Sequence, residues 1–264
     1  MKANWKRRFD DYPRIKTFLK RVLRRVSPAV SDDYVALDAR EAPAVGKALE
    51  GAWQDVALPE RQRELVDAQL EAYRAGATMP AFDAMVGALR QLALAPGSSL
   101  LDVGCSSGFY SEVLAARGVD VRYSGCDYSE AFIELARRRH TGLRFDVMDA
   151  TRLGYPDSSF DVVVSGNCLL HIVDYPAAIA ETARVARGHA IFHRTPVQQL
   201  TPTRYFTKSA YGVKTFEICF NETELVRQFA QNGLLIEDIV TIDAYSKDGE
   251  TFGVKTYVCR KAAP

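Results

Sequence analysis

Residues 101–111 read LDVGCSSGFYS, a short apolar run that contains one acid and ends in a turn of small residues. The apolar residues around Asp102 indicate a buried strand, and Gly104 and Gly108 indicate a sharp turn after it. Small residues in such a turn let backbone N–H groups approach a ligand, and the helix that follows presents its positive end there. The stretch therefore predicts a strand, a turn and a helix that together bind an anionic or carboxylate-bearing group.

From residue 98 onward, short apolar runs alternate with amphipathic stretches of about ten residues, a pattern typical of an α/β domain. The predicted strands cover residues 99–103, 121–127, 143–149, 160–166, 189–194, 234–240 and 254–260. The predicted helices between them cover residues 109–117, 129–139, 176–186 and 222–232. We expect these elements to form one domain over residues 80–264.

A polar, punctuated stretch at about residues 195–220 interrupts this alternation. In a doubly wound sheet, such an insertion lies over the carboxyl ends of the strands, where ligands bind. We therefore predict a lid or substrate loop and no core element here. The candidate contacts to a substrate are Arg194 at the start of this stretch and Tyr205 and Tyr211 inside it.

Residues 1–79 are predicted to form a helical extension and cap. Residues 1–25 hold ten Lys or Arg against two Asp, although the whole chain has a formal net charge of only +1. The apolar residues of segment 14–26 fall on one face of a helix. That face either docks on the mildly acidic remainder of the protein or lies in a membrane interface, with the basic residues against anionic lipid.

Cysteine usage and hydropathy favour a cytoplasmic protein, with peripheral membrane contact only through that helix. The five cysteines are odd in number, widely spaced and never in a CxxC pair, which argues against a disulfide framework or a zinc site. No run of apolar residues is long enough to span a membrane, and the N-terminus lacks the apolar region of a secretion signal.

Two further acids close predicted strands and point to a nucleoside ligand. Asp127 ends the second strand about 20 residues beyond the glycine turn, where a carboxylate can accept both hydroxyls of a ribose. Asp149 ends the third strand, where a side chain can take an adenine amino hydrogen. The glycine spacing does not match G-x-G-x-x-G, which argues against a dinucleotide-dependent oxidoreductase.

Residues 100–108, 125–139, 145–186 and 233–238 resemble, in order and spacing, class I S-adenosylmethionine-dependent methyltransferases. The resemblance covers about residues 80–264. It implies a Rossmann-like, seven-stranded, mostly parallel sheet with helices on both faces and one antiparallel edge strand, here residues 254–260. It also implies S-adenosylmethionine as cofactor and S-adenosylhomocysteine as product.

The resemblance further implies roles for individual residues. Gly104, Ser106 and Gly108 would line the methionine portion of the cofactor, Asp127 would hold the ribose, and Asp149 with Ala150 would flank the adenine. The family usually has glycine where this chain has Ser106, so we expect mild strain or a negative φ at that serine. The full set of predicted cofactor contacts is Asp102, Gly104, Cys105, Ser106, Gly108, Asp127, Tyr128, Asp149, Ala150 and Asn167.

Methyl transfer to a hydroxyl requires alignment and the removal of a proton, so a base near the methyl group is expected. His193 and His171 both follow predicted strands at the carboxyl edge of the sheet, and both are candidates. His189 and His140 are predicted to be structural. No cluster of metal-ligating residues appears in the sequence, so no metal is predicted.

We therefore expect an O-methyltransferase that acts on a small molecule or glycan. The alternative is a non-catalytic or regulatory module that binds S-adenosylmethionine without turnover. Nucleic acid is not expected as a partner, because the basic residues cluster in one N-terminal helix away from the predicted site.

Overall fold

The computed structural model describes residues 34–247 and 250–262. The basic helix predicted over residues 14–26, with both of its proposed docking modes, lies outside the described residues. No helix within the described ranges is both long and apolar enough to cross a membrane. The division into residues 1–79 and 80–264 stays a prediction.

Strands and helices alternate from residue 98 as predicted, and they are preceded by one short strand and three helices. The strands are β1 (Val35–Leu37), β2 (Ser98–Val103), β3 (Val121–Asp127), β4 (Arg144–Val147), β5 (Phe160–Gly166), β6 (Ala186–Gln198), β7 (Arg204–Ala210), β8 (Val213–Asn221), β9 (Leu234–Lys247) and β10 (Glu250–Lys261). The α-helices are α1 (Ala42–Leu49), α2 (Leu58–Arg74), α3 (Pro80–Gln91), α4 (Phe109–Ala116), α5 (Glu130–Arg139), α6 (Tyr175–Val185) and α7 (Glu222–Gln231). Short 3₁₀ helices cover Glu50–Gln54 and Leu169–His171.

The central sheet has the order β4-β3-β2-β5-β6-β10-β9, with parallel pairing from β4 through β6. The predicted α/β fold class, Rossmann-like and mostly parallel, is confirmed. The antiparallel strand is the predicted segment, β10, and it lies between β6 and β9. The antiparallel strand is therefore one place in from the edge, which β9 forms.

Alternating residues of the central strands face two separate cores, because successive side chains in a strand point to opposite faces. Leu100 and Val162 pack with residues of α2 to α5 on one face. On the other face, Leu101 and Val163 pack near α6, and Phe192 packs with residues of α6, α7 and β8. The sheet is therefore buried on both sides, as expected for parallel strands.

The stretch predicted as a polar loop instead forms the β7–β8 hairpin, so that prediction is wrong. Tyr211 and Gly212 both have positive φ, +52° and +84°, which suits a two-residue hairpin turn. Phe216, Ile218 and Phe220 alternate along β8 and are buried. The polar residues of this stretch suggested solvent exposure, but Lys208 and Glu217 are buried and pair with each other across the hairpin.

The hairpin continues the central sheet because β6 is longer than predicted. The last two residues of β6, Val197 and Gln198, pair in parallel with Phe220 and Asn221 of β8. Strand β7 then pairs with β8 on one side and with β1 on the other. The sheet thus has ten strands among the described residues, three more than the seven that the family resemblance implies.

A buried arginine attaches α2 to the turn that follows β2. Arg63 is 1% exposed, and its Nε donates to Asp67 at 2.7 Å and its Nη1 to Ser107 Oγ at 3.4 Å. Its Nη2 also donates to Glu112 of α4, which pairs in addition with the half-exposed Arg74 at 2.6 Å. The helical cap is therefore fixed to the same turn that the sequence predicts as a ligand site.

These two arginines provide a matched pair for a stability test. Arg63→Met should lower the free energy of unfolding by about 3 kcal/mol, since it removes a buried guanidinium that three groups share: the buried Ser107 hydroxyl and the partly buried carboxylates of Glu112 and Asp67. Arg74→Met should lower it by less than about 1 kcal/mol, because that side chain pairs in contact with solvent. Urea denaturation of both variants measures the difference, and equal losses would contradict a structural role for Arg63.

Candidate functional site

A cavity of about 360 Å³ opens at the carboxyl edge of the parallel strands. Its walls come from the turn after β2, the segments after β3, β4 and β5, the β7–β8 hairpin, and the helices α1 and α2. The volume lies in the range of small-molecule sites. Ten of the residues predicted from the sequence line it: Gly104, Ser106, Asp127, Tyr128, Asp149, Ala150, Asn167, His171, Arg194 and Tyr211.

The glycine turn needs its glycines for both conformation and space. Gly104 has a φ of +71°, and a Cβ atom there would lie 2.4 Å from Cβ of Cys168. Gly108 has a φ of +74°, and its Cβ would lie 2.7 Å from the ring of Phe145. Gly108 does not line the cavity; it precedes α4, and its conformation sets the start of that helix.

Ser106 adopts the left-handed conformation, with a φ of +54°. Such a φ is unfavourable for a residue other than glycine, so the turn stores backbone strain at this point. Two contacts hold it: the Ser106 N–H donates to Asp127 Oδ2 at 3.0 Å, and its hydroxyl donates to Gln62 of α2. The mild strain expected from the sequence is thus present.

Asp127 lies at the end of β3, 9% exposed, with one side toward the cavity. Its second oxygen, Oδ1, accepts the N–H of Ser129 at 3.0 Å. Burial raises the pKa of Asp127 to about 6, and the backbone hydrogen bonds act in the opposite direction. The carboxylate therefore links the ends of two strands and keeps acceptor capacity for a ligand.

Asp102 lies behind the cavity wall and is 1% exposed. Its Oδ2 accepts the Tyr123 hydroxyl at 2.6 Å, while its Oδ1 is buried without a hydrogen-bond partner among the described residues. A Cβ atom on Gly166, which does line the cavity, would lie 3.3 Å from that Oδ1. Burial raises the pKa of Asp102 to about 7, so a cation bound beyond Gly166 would favour its ionised form.

The remaining predicted cofactor contacts occupy different positions. Asp149 is exposed, and its Oδ1 accepts both the N–H and the hydroxyl of Thr151 at 2.8 Å. The Tyr128 hydroxyl donates to the carbonyl of Glu50. Asn167 has a φ of +61° and lines the cavity next to β5. Cys105 is buried outside the cavity lining.

The structure argues against the prediction that His193 is the base. The ring is 1% exposed and does not line the cavity. One ring nitrogen, Nε2, lies 2.9 Å from the Tyr110 hydroxyl, and the other, Nδ1, lies 2.8 Å from Thr256 Oγ1. Burial, followed by the charge of Arg194, lowers the pKa of His193 well below its usual value. Both nitrogens are therefore engaged inside the protein.

His171, the second candidate, does line the cavity. Its Nδ1 lies 2.8 Å from the carbonyl oxygen of Phe216, which can only accept, so Nδ1 carries the proton and Nε2 is the basic nitrogen. The ring packs against Trp53 with 4.7 Å between centroids. Burial lowers the pKa of His171, against the opposing charge of Glu217. The imidazole is thus neutral at neutral pH.

The hairpin end of the cavity carries charged groups that the sequence patterns did not single out together. Lys208 and Glu217 form a buried ion pair, and Lys208 also donates to the Tyr34 hydroxyl at 3.1 Å. Tyr205, predicted to contact substrate, stacks against Phe216 outside the cavity lining. The alternation in β8 is the one sequence signal that places Glu217 in a strand; Tyr34 and Trp53 come from the cap and carry no such signal.

No group of three or more His, Cys, Asp or Glu side chains within residues 34–247 and 250–262 is arranged to hold a metal ion. The polar groups that line the cavity are the acids Asp127 and Asp149, the neutral His171, Arg194, and the Lys208–Glu217 pair of the hairpin.

Residues 101–193 match the family described as a methyltransferase domain. Over 93 residues the chain is 41% identical to phosphoethanolamine N-methyltransferase 1 of Arabidopsis thaliana, an alignment that covers 34% of this chain and 19% of that relative. Over 99 residues it is 37% identical to demethylmenaquinone methyltransferase of Beutenbergia cavernae, which covers 38% of this chain and 40% of that relative. The chain thus spans less than half the length of either relative.

The fold is similar to that of the solved 1,6-didemethyltoxoflavin-N1-methyltransferase of Burkholderia thailandensis, whose structure contains 1,6-didemethyltoxoflavin and S-adenosylhomocysteine. The TM-score is 0.54 at 19% identity, over 87% of this chain and 95% of that one. This likeness is one of fold, and it extends well beyond the residues that match the family. With the sheet order, it shows that the chain has the Rossmann-like fold of class I S-adenosylmethionine-dependent methyltransferases, in which residues 101–193 form the matched methyltransferase domain.

Proposed function

We propose that the protein is a methyltransferase that transfers a methyl group from S-adenosylmethionine to a hydroxyl oxygen of a small molecule or glycan. The observation that carries the proposal is His171, a neutral histidine with its basic nitrogen identified, in the wall of the cavity that also contains the glycine turn and Asp127.

The free state of all five cysteines supports the predicted cytoplasmic location.

The residues at the acidic end fit S-adenosylmethionine, which supplies an activated methyl group on a positively charged sulfur when it is bound. The orphaned Oδ1 of Asp102, beside Gly166, suits the cationic methionine portion. The Gly104 and Ser106 backbone lies at the same end of the cavity. We assign Asn167 to this portion as well.

The nucleoside portion would lie along the ends of β3 and β4. We assign Asp127 to the ribose hydroxyls, because its carboxylate accepts two backbone N–H groups and has further lone pairs. Asp149 and Ala150 would flank the adenine, with Tyr128 beside them. Cys105 and Gly108 would act on the shape of the turn and not on the cofactor, because neither lines the cavity.

His171 would remove the proton of the acceptor hydroxyl as the new bond to carbon forms. Its Nδ1–H donates to the Phe216 carbonyl, which fixes the tautomer and the orientation of the ring. Its depressed pKa keeps Nε2 unprotonated near neutral pH. The proton moves from the hydroxyl to Nε2, and the methyl group moves to the oxygen.

The competing function, a module that binds the cofactor without turnover, is favoured by one observation: the left-handed φ of Ser106. That strain would lower cofactor affinity if the bound turn required a different conformation. Incubation of the full chain with labelled S-adenosylmethionine and fractionated cell extract decides between the two, because only an enzyme forms a labelled product. Cofactor binding without any labelled product supports the module.

Asp127→Asn should weaken the binding of S-adenosylhomocysteine by about 1.5–3 kcal/mol, and so raise its Kd, because charge-assisted hydrogen bonds are lost. Asp120→Asn is the matched control, because Asp120 is exposed and precedes the same strand at its opposite end. Calorimetric titration of both variants measures the effect. An unchanged Kd in Asp127→Asn would remove Asp127 from the ribose site.

His171→Asn should lower kcat for an oxygen acceptor by about 10²-fold or more, with the affinity for S-adenosylhomocysteine nearly unchanged. Asparagine retains a donor for the Phe216 carbonyl and removes Nε2. Because the pKa of His171 is lowered in the folded protein, wild-type kcat should stay constant as the pH falls to the ordinary histidine pKa of about 6.5. It should decrease only at lower pH.

His189→Asn serves as the control for that experiment, because His189 lies on β6 against Glu237 at 3.5 Å, away from the cavity. Steady-state kinetics across pH 5 to 8 gives the comparison. If His171→Asn retains wild-type kcat, transfer proceeds by alignment alone, as it would for an amine that is already deprotonated.

A further inference from the structure

We propose that the methyl acceptor carries an anionic group, a carboxylate or a phosphate, and that Arg194 binds it at the hairpin end of the cavity. This inference rests on the proposed function, because it names the class of molecule that the same site would methylate. Three features of the structure carry it: the bulge that exposes Arg194 to the cavity, the charge balance around it, and its proximity to His171.

A β-bulge aims Arg194 at the cavity. On the two sides of Thr256, β10 pairs Lys255 with Thr195 and Tyr257 with Phe192, so two residues of β6 face one residue of β10. Arg194 is one of those two residues, and its φ is +57°. Such bulges next to functional sites redirect a side chain. Accordingly, Arg194 lines the cavity, whereas His193 and Thr195 on either side are buried outside it.

The charges around Arg194 do not cancel its own. The other cation at this end, Lys208, is already paired with Glu217 and bonded to Tyr34. Arg194 has no carboxylate within ion-pair distance among the described residues. One positive charge therefore remains at this end of the cavity. A guanidinium is suited to two parallel hydrogen bonds with a carboxylate or phosphate.

Arg194 also lies close to the group that would act as the base. Burial is the main cause of the lowered pKa of His171, and Arg194, Lys208 and Glu217 all act on that pKa through their charges. One small molecule can therefore place a hydroxyl at His171 and an anionic group at Arg194. Its anion would be held by the protein while its hydroxyl reacts.

The cofactor's own carboxylate is the competing source of an anion. Arg194 is a residue of β6, and the glycine turn follows β2, with β5 between the two strands. The Arg194 side chain nevertheless reaches Tyr110, on which it acts by its charge and by a side-chain hydrogen bond, and Tyr110 directly follows the glycine turn on α4. The hairpin groups Lys208 and Glu217 are on the side of Arg194. Arg194 therefore interacts both with Tyr110 beside the glycine turn and with His171, and the affinity of its variants for S-adenosylhomocysteine decides whether the cofactor or the acceptor owns the anionic group.

The test uses the full chain saturated with S-adenosylhomocysteine and titrated with inorganic phosphate or acetate at constant ionic strength. Anion binding is read from the rise in Tm, since a ligand that binds only the folded state stabilises it. The variants are Arg194→Asn, Arg194→Lys and the control Arg227→Asn, an exposed residue of α7. Asparagine tolerates a left-handed φ, so it removes the charge without added backbone strain.

At least one of the two anions should bind the wild type. Its affinity should be at least tenfold lower for Arg194→Asn and several-fold lower for Arg194→Lys, because an ammonium group cannot form two parallel hydrogen bonds. Arg227→Asn should match the wild type. The anion preferred by the wild type distinguishes a carboxylate acceptor from a phosphate acceptor. The Tm of each variant without added anion establishes that it folds.

Equal anion binding in the wild type and Arg194→Asn would overturn the proposal. A tenfold loss of affinity for S-adenosylhomocysteine in Arg194→Asn would also overturn it, since Arg194 would then hold the cofactor. Failure of methyl transfer is a separate result: Arg194-dependent anion binding in a protein that forms no labelled product supports the anion site and refutes the proposed reaction.

Discussion

The Asp127 carboxylate accepts the Ser106 N–H, and this bond fixes the left-handed turn on which the cavity depends. It joins the carboxyl ends of two neighbouring strands at the point where the backbone reverses. The turn also allows the segment after β5 to approach, because a Cβ atom at position 104 would collide with Cys168. Arg63 then attaches the helical cap to the same turn through Ser107.

The β7–β8 hairpin imposes the second constraint, because it orients the proposed base. The carbonyl that fixes the His171 tautomer belongs to Phe216 of β8. Trp53, in the 3₁₀ helix of the cap, packs against the same imidazole. A segment inserted into the Rossmann-like sheet and a segment that precedes it therefore both hold one side chain. Changes in either segment are expected to act on the geometry of the site without touching the cofactor end.

The sequence predicted the parallel core and the acids at the strand ends because both depend on local pattern. Alternating apolar runs identify strands, and an acid at the end of a strand such as Asp127 lies at the ligand edge wherever the sheet is parallel. The hairpin escaped prediction because Lys208 and Glu217 neutralise each other inside it. The polarity of a single residue predicts solvent exposure. That two polar residues on neighbouring strands pair and become buried depends on the tertiary structure.

The choice between the two histidines shows the same limit. His193 and His171 both lie at the correct edge, and residue type and position could not separate them. What separates them is the direction of each ring: His193 points between Tyr110 and Thr256, and His171 points into the cavity. That direction depends on the bulge at Arg194 and on contacts with distant segments, neither of which has a local sequence signature.

The charge distribution of the cavity gives the two ends different roles. Asp102 and Asp127 have raised pKa values, about 7 and about 6, because burial disfavours their ionised forms. A cation bound near them would favour ionisation, so the acidic end gains most from a positively charged ligand. Among the described residues, Arg194 has no carboxylate within ion-pair distance, so an anion bound to it would offset its charge. A cavity that contains both kinds of group, with His171 in its wall, is suited to one cationic and one anionic molecule.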